Sequence, residues 1–282
     1  MILASEIRKR LRNGIVCPGA WLQIPSPDIA EIVTRMGYDW AVVDMEHGSF
    51  SHSQLPDMFR AIECGGAVPF ARPASSSSRD IMAALDSGAR GLILPMIQSR
   101  AQLDSAISAA MYPGGKEYST GTRGVGFCRS NSYGFDFVGE LDPDAGSSRD
   151  IVLVAQIEHV DAMKELDAIF SHPRLDAYMV GRYDFSASMG LTGDFSHPDF
   201  LAALETIRHK AAPYRLPAGF HVLSPNQDEL VARAREGFPF LAYGVDALFL
   251  MSAARLPELP GRVHPQVRED ARLRLAKGKG EE

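Results

Sequence analysis

Residues 38–48 read Tyr38-Asp39-Trp40-Ala41-Val42-Val43-Asp44-Met45-Glu46-His47-Gly48, an apolar strand pattern running straight into three ionisable side chains. A short apolar run without polar alternation fits a strand covered on both faces, as in a parallel sheet flanked by helices. Packing has no use for Asp, Glu and His together at the end of such a strand. In parallel α/β proteins the carboxyl ends of the strands are where ligands bind and chemistry is done.

Working outward, similar runs recur near 15–23, 68–72, 91–95, 151–157, 176–181, 216–221 and 246–251, with 238–243 competing for the last position. With residues 39–44 these make about eight strand–helix units, the count for a closed (β/α)8 TIM barrel. Helices between them have local support: Ser26-Pro27-Asp28 offers a cap and a proline at the first helical position, and Ser78-Arg79-Asp80 opens Ile81, Met82, Ala84 and Leu85 in the same way. The 282-residue length suits one such domain, expected over 1–256, followed by a 257–282 extension with three prolines and a frayed, charged end.

A net charge of −6 without long single-sign blocks gives no footprint for nucleic acid or anionic lipid. The first ten residues read as an amphipathic helix without the apolar core of a signal peptide. No run approaches the roughly 20 apolar residues of a membrane span. Cys17, Cys64 and Cys128 lie far apart with no C-x-x-C spacing, so reduced thiols and a cytoplasmic location are expected. Residues 112–150, rich in Gly, Ser and Asp, are too long for an idle connection and read as a lid or substrate-facing loop.

Reading each strand to its carboxyl end assembles one candidate site: Asp44, Glu46 and His47, then Arg72, Gln98, Gln156 with Glu158, and Gly181 with Asp184. Glu158 and Asp184, from adjacent strands, form the best pair for a hard, octahedral divalent cation such as Mg2+ or Mn2+, with helix capping as the competing role. Arg72 suits a carboxylate in the barrel mouth, or else an internal salt bridge to a strand-end acid. His47 suits a general base, with an acid such as Asp86 fixing its tautomer, or else a satisfied core histidine. His221 is a weaker candidate at the seventh strand end, and His52, His159, His172, His197, His209 and His264 read as loop or helix-surface residues. Lys9, Lys116, Lys164, Lys210, Lys277 and Lys279 all lie off the strands, which argues against a Schiff-base aldolase. No glycine-rich phosphate loop opens a helix after a strand.

These motifs, in order, resemble the HpcH/HpaI aldolases, metal-dependent class II pyruvate aldolases of the phosphoenolpyruvate/pyruvate-binding barrel type. The resemblance is carried by residues 37–40 and 44–47, 68–73, 94–98, Tyr112-Pro113, Arg123-Gly124-Val125-Gly126, Gln156-Ile157-Glu158 and residues 181–190. It implies reversible cleavage of a 4-hydroxy-2-oxo acid to pyruvate, or a hydroxypyruvate-like donor, and an aldehyde. It also implies Glu158 and Asp184 as ligands of Mg2+ or Mn2+, with Co2+ and Zn2+ admitted, and Arg72 and Gln156 at the substrate. His47, supported by Asp86, would act in proton transfer, and Asp44 and Glu46 would shape the pocket. A homo-oligomer, a hexamer or trimer of dimers with the C-terminal helix at an interface, is implied as well. The chain departs from many members in having Gly181-Arg182-Tyr183-Asp184 where they have Gly-Pro-Ala-Asp, at a turn whose backbone amides are expected to meet the pyruvate carboxylate. Its 114–121 segment is also longer. A citrate-lyase-like acyl-CoA lyase and a non-catalytic keto-acid-binding barrel are the competing functions.

Overall fold

The protein, seen in a computed structural model that describes residues 3–114, 120–135, 137–142 and 150–254, is a closed parallel barrel in which each strand pairs with its sequence neighbours and the eighth returns to the first. The strands are β1 (Cys17–Leu22), β2 (Trp40–Asp44), β3 (Val68–Arg72), β4 (Gly91–Leu94), β5 (Val152–Ile157), β6 (Ala177–Val180), β7 (Ala218–Val222) and β8 (Phe240–Val245). The helices are α1 (Ala4–Arg12), α2 (Pro27–Thr34), α3 (Leu55–Cys64), α4 (Ser78–Ser87), α5 (Arg100–Ala110), α6 (Phe137–Leu141), α7 (Leu166–Phe170), α8 (Arg182–Ser188), α9 (Pro198–Ala211), α10 (Gln227–Arg235) and α11 (Asp246–Ala253).

Because both faces of the sheet are covered, the strands carry apolar side chains on both. Outward residues such as Ala41, Val43, Ala71, Leu92, Leu94, Leu153 and Ala155 pack against the helices. Inward ones such as Val42, Phe70, Ile93, Val154, Met179 and Ala242 fill the barrel. At its amino-terminal end Trp40 stacks on Phe240 at 4.3 Å between ring centres and lies 5.1 Å from Phe70. Those rings fit because Gly19 and Gly91 present no Cβ: a methyl at 19 would fall on the Trp40 indole, and one at 91 on the Phe70 ring. Helix α1 closes this end, burying Ala4, Ile7 and Leu11, while Arg10 pairs with Asp39 at 3.0 Å. The barrel is therefore a filled core that opens only at the opposite end.

Two expectations about element boundaries change. The eighth strand is 240–245, and residues 246–251 are helical. Phe240 and Ala242 alternate into the interior, and a register shift against β1 brings Val245 in after them. Asp246 is buried and accepts hydrogen bonds from the backbone N–H groups of Gln23, Ile24 and Ala247, so it ends the strand and ties it to the loop after β1. The cap of α4 is Ser77, whose hydroxyl accepts from Asp80 N–H; Ser78 is the first helical residue. Ser26 and Pro27 open α2 as expected. His172 is buried, contrary to its reading as a surface residue, with Nδ1 accepting from Arg174 N–H. Residues 257–282 and most of 114–121 lie outside the described residues. No helix among the described residues is long and apolar enough to cross a membrane.

Alanine at Gly19 or Gly91 should lower stability by about 1–3 kcal/mol, because the ring opposite must leave its rotamer. Alanine at Gly126, where the added methyl meets nothing within 4 Å, should change it by no more than roughly 0.5 kcal/mol. Urea midpoints at constant m-value check the contrast.

Candidate functional site

The open end of the barrel holds a cavity of about 270 Å3 whose walls include Trp21, His47, Arg72, Gln156, Glu158, Gly181, Asp184 and His221. The second and third strands end in a buried ion pair. Arg72 Nε donates to Asp44 Oδ1 at 2.8 Å and Nη2 to Oδ2 at 2.7 Å, a two-pronged contact with Arg72 5 % exposed and Asp44 not exposed at all. Trp21 Nε1 and Gln23 Nε2 also donate to Asp44 Oδ2, at 3.1 and 2.9 Å, and the N–H groups of Glu46 and His47 to Oδ1. Burial pushes the Asp44 carboxyl up, but Arg72, Gln23 and Trp21 together outweigh it and hold it down at about 2. Asp44 is therefore the fixture that aims Arg72, and it does not itself line the cavity. The salt bridge considered for Arg72 exists, and the guanidinium reaches the cavity nonetheless. Its Nη1 lies 3.0 Å from Glu46 Oε2.

Glu158, just past β5, is 1 % exposed. Gln156 Nε2 donates to its Oε1 at 2.6 Å and Met96 N–H to its Oε2 at 2.9 Å. Met96 holds the left-handed backbone region, φ 53°, one residue past Pro95, a strained conformation of the kind that collects at functional sites. Burial, with the charges of Glu46 and Asp184, pushes the Glu158 carboxyl up to about 7 against the pull of Met96 N–H and Arg72. A Cβ at Gly181 would fall on Glu158 Oε1, so the residue before α8 must be glycine for this carboxylate to keep its place. Asp184, in the first turn of α8, is exposed toward the same cavity.

The donor set fits a hard divalent cation. Glu158 and Asp184 bring two carboxylates to the cavity wall, while Asp44 and Glu46 stand behind it against Arg72. Gln156 Oε1 is a buried acceptor without a donor. Among the described residues no three His, Cys, Asp or Glu side chains converge to hold a metal alone. Glu158 and Asp184 would thus provide two protein ligands, leaving further positions to water and substrate.

Other expected residues take different roles. Asp86 does not hold His47: its Oδ1 accepts from Arg123 Nε at 3.2 Å and Nη2 at 2.8 Å, and Arg123 lies over the Tyr112 ring. Arg123 is buried, and among the described residues Asp86 is the carboxylate it pairs with. His47 is exposed at the mouth, its ring without a hydrogen-bond partner among the described residues. Arg182 has its guanidinium between the Phe195 and Phe220 rings, 4.6 and 4.5 Å from their centres, and Tyr183 meets Phe195 edge-on. Both contribute to the cavity wall, but the Arg182 charge is engaged by aromatic faces. Gln98 does not line the cavity; its backbone N–H donates to Gln102 Oε1 at the start of α5. The described part of 112–150 docks on α3 and α4 through Arg129 to Glu63 and Arg123 to Asp86, and none of it lines the cavity. Trp21, Gln23, Met179, Leu223 and Val245 went unread; strand-end position was the signal for the first two. His221, ranked low, is a wall residue stacked on Trp21.

The model of the HpcH/HpaI aldolase/citrate lyase family matches residues 18–253. The hydroxypyruvate/pyruvate aldolase of Pseudomonas aeruginosa is 33% identical over 260 residues, 92% of this chain and 92% of that protein. The 2-keto-3-deoxy-L-rhamnonate aldolase of Klebsiella pneumoniae subsp. pneumoniae is 30% identical over 252 residues, 89% of this chain and 91% of that one. Among solved structures, an HpcH/HpaI aldolase/citrate lyase family protein from Burkholderia cenocepacia J2315 aligns with a TM-score of 0.81 at 26% identity, over 88% of this chain and 96% of its own.

Three groups, His221, His172 and Asp44, weaken the fold on acidification, and Glu158, pushed up to about 7, opposes them in part because it takes up its proton in the fold before it does in the unfolded chain. Burial pushes the His221 imidazole down from 6.5 to about 4, so between those values the unfolded chain binds a proton that the folded one refuses, and stability falls on acidification. His172 behaves alike. Asp44 adds a later loss: its stabilisation is complete above its ordinary 3.8 and disappears as pH falls toward 2. Urea midpoints should decline between pH ~7 and ~4.5, less steeply in His221→Leu; a flat profile would contradict a buried neutral imidazole. Asp44→Asn should lose roughly 3 kcal/mol at neutral pH, because Arg72 is left in a buried place without its partner.

Proposed function

Because the chain belongs to the HpcH/HpaI aldolase/citrate lyase family, we propose that it is a class II aldolase that reversibly cleaves a 4-hydroxy-2-oxo acid to pyruvate, or a hydroxypyruvate-like donor, and an aldehyde. The observation that carries this reading is the convergence of Glu158 and Asp184, just past the adjacent strands β5 and β6, with the pinned guanidinium of Arg72 in one cavity. A divalent cation at Glu158 and Asp184, Mg2+ or Mn2+ by the hardness of the oxygen donors, would supply Lewis acidity toward the keto oxygen.

The chain's own residues supply the rest. Carbon–carbon cleavage leaves an enolate, and its negative oxygen needs fixed positive charge. Asp44 holds Arg72 at two nitrogens, so the guanidinium stays charged and faces the cavity without having to reorganise as the charge develops. The first-turn N–H groups of α8, at Arg182 and Tyr183, have no intrahelical acceptor and suit the substrate carboxylate. Gln156 orients Glu158 through its amide N–H, and its own Oε1 stays buried without a donor. His47, in the cavity wall with its ring free of hydrogen bonds among the described residues, would move a proton to or from the aldehyde half. Asp86 acts at a remove, through Arg123 and the loop that Arg123 anchors.

A homo-oligomer, a hexamer or trimer of dimers, accompanies this reading and is supported by the exposed Ile32, Met36 and Leu250. A cytoplasmic location is supported by three free cysteines. Mass measurement in solution tests the first.

Protein stripped with a chelator should lose cleavage and recover it with Mg2+ or Mn2+; full activity in chelator would overturn the reading. Glu158→Ala and Asp184→Ala should abolish turnover with the fold intact by circular dichroism. Arg72→Lys should reduce kcat by about 100- to 1,000-fold, since an ammonium cannot reproduce the two-pronged contact that aims the charge.

A further inference from the structure

His221 stands near the carboxyl end of β7, in the same cavity wall as Arg72, Gln156, Glu158 and Asp184, and the chemistry above does not use it. Its ring is fixed on two sides. Trp21 stacks against it with 4.6 Å between ring centres and 23° between planes. Nε2 lies 3.1 Å from the carbonyl oxygen of Gly244. A carbonyl only accepts, so Nε2 carries the proton, and in the neutral ring Nδ1 is then a lone-pair acceptor. Burial keeps the ring neutral at ordinary pH.

Nδ1 has no partner among the described residues, and it is not one of the polar atoms sealed from solvent. The donors around it are already committed: Trp21 Nε1, Gln23 Nε2 and two nitrogens of Arg72 all serve Asp44. An uncharged acceptor in a wall otherwise equipped with carboxylates and a guanidinium recognises a hydroxyl, because it can neither pair with a substrate carboxylate nor donate to a carbonyl. Arg72, on the enolate side of the pocket, has its guanidinium 5.0 Å from the centre of the Trp21 ring on which His221 also stacks, which puts the acceptor beside the donor half of the substrate.

We propose that His221 is a specificity-determining residue whose Nδ1 accepts a hydrogen bond from a hydroxyl on carbon 3 of the keto-acid donor, favouring a hydroxylated donor such as hydroxypyruvate over pyruvate. This rests on the aldolase reading of the same site. Pyruvate lacks that hydroxyl and leaves the acceptor unsatisfied, which is how a polar site discriminates between otherwise similar ligands.

The test measures kcat/KM in the synthesis direction for hydroxypyruvate and for pyruvate, each with acetaldehyde and with glycolaldehyde, on the metal-loaded enzyme. In His221→Leu the hydroxypyruvate-to-pyruvate ratio should fall about tenfold with either aldehyde. Two further variants separate recognition from packing. Asn places its amide near the position of Nδ1 and should hold the ratio within about threefold of wild type. Gln reaches the position of Nε2, keeps the Gly244 contact, and should lose the ratio as Leu does. An unchanged ratio in Leu and Gln, a ratio kept by Gln and lost by Asn, or a loss that follows the hydroxyl of the aldehyde would each overturn the role of His221 while leaving the aldolase standing. Wild-type enzyme inert with both donors would overturn the aldolase reading, and this proposal with it.

Discussion

Arg72 is a cation taken almost wholly out of water, and it holds that position because Asp44 meets it with both oxygens. A guanidinium left alone there would draw in solvent or swing away, and an unpaired Asp44 carboxylate would take up a proton. Together they form a rigid electrostatic fixture joining the ends of β2 and β3. Asp44 then extends it: the Trp21 and Gln23 side chains and the backbone of Glu46 and His47 all bind its oxygens. The conformation of the first two strand ends, and the stacking surface on which His221 rests, depend on that one carboxylate.

Opposite this fixture the carboxylates of Glu158 and Asp184 are set by backbone. Met96 N–H and the missing side chain at Gly181 position Glu158, and the turn into α8 positions Asp184. Positive charge is thus held by a side-chain network on one side of the cavity and negative charge by strand-end geometry on the other. A keto acid, with a carboxylate, a carbonyl and a carbon that becomes nucleophilic, matches that polarity.

The strand pattern and the polar residues closing each strand were legible in the sequence, because a buried parallel strand tolerates polarity only at its end. That is how Asp44, Arg72, Gln156, Glu158 and Asp184 could be brought to one mouth before any coordinates. Partner choice was not legible. The sequence offered Asp86 to His47, and only the fold shows that it meets the buried Arg123 instead. The same holds for Arg182, whose aromatic neighbours Phe195 and Phe220 come from a loop and from the next strand. The eighth strand was misplaced because two adjacent apolar runs looked alike. What separates them is Asp246, a helix-opening acid whose partners Gln23 and Ile24 lie far away in sequence.

That distant contact bears on how the polypeptide reaches its native form during synthesis. Strand β1 needs β8 on its open side, and the lock between them, Asp246 on the loop after β1, is among the last described parts to be made. Until the ribosome has released residue 246, β1 presents a bare hydrogen-bonding edge to solvent or to a second nascent chain. Closure of this barrel is therefore a late event, and the window before it is when a chaperone would matter most.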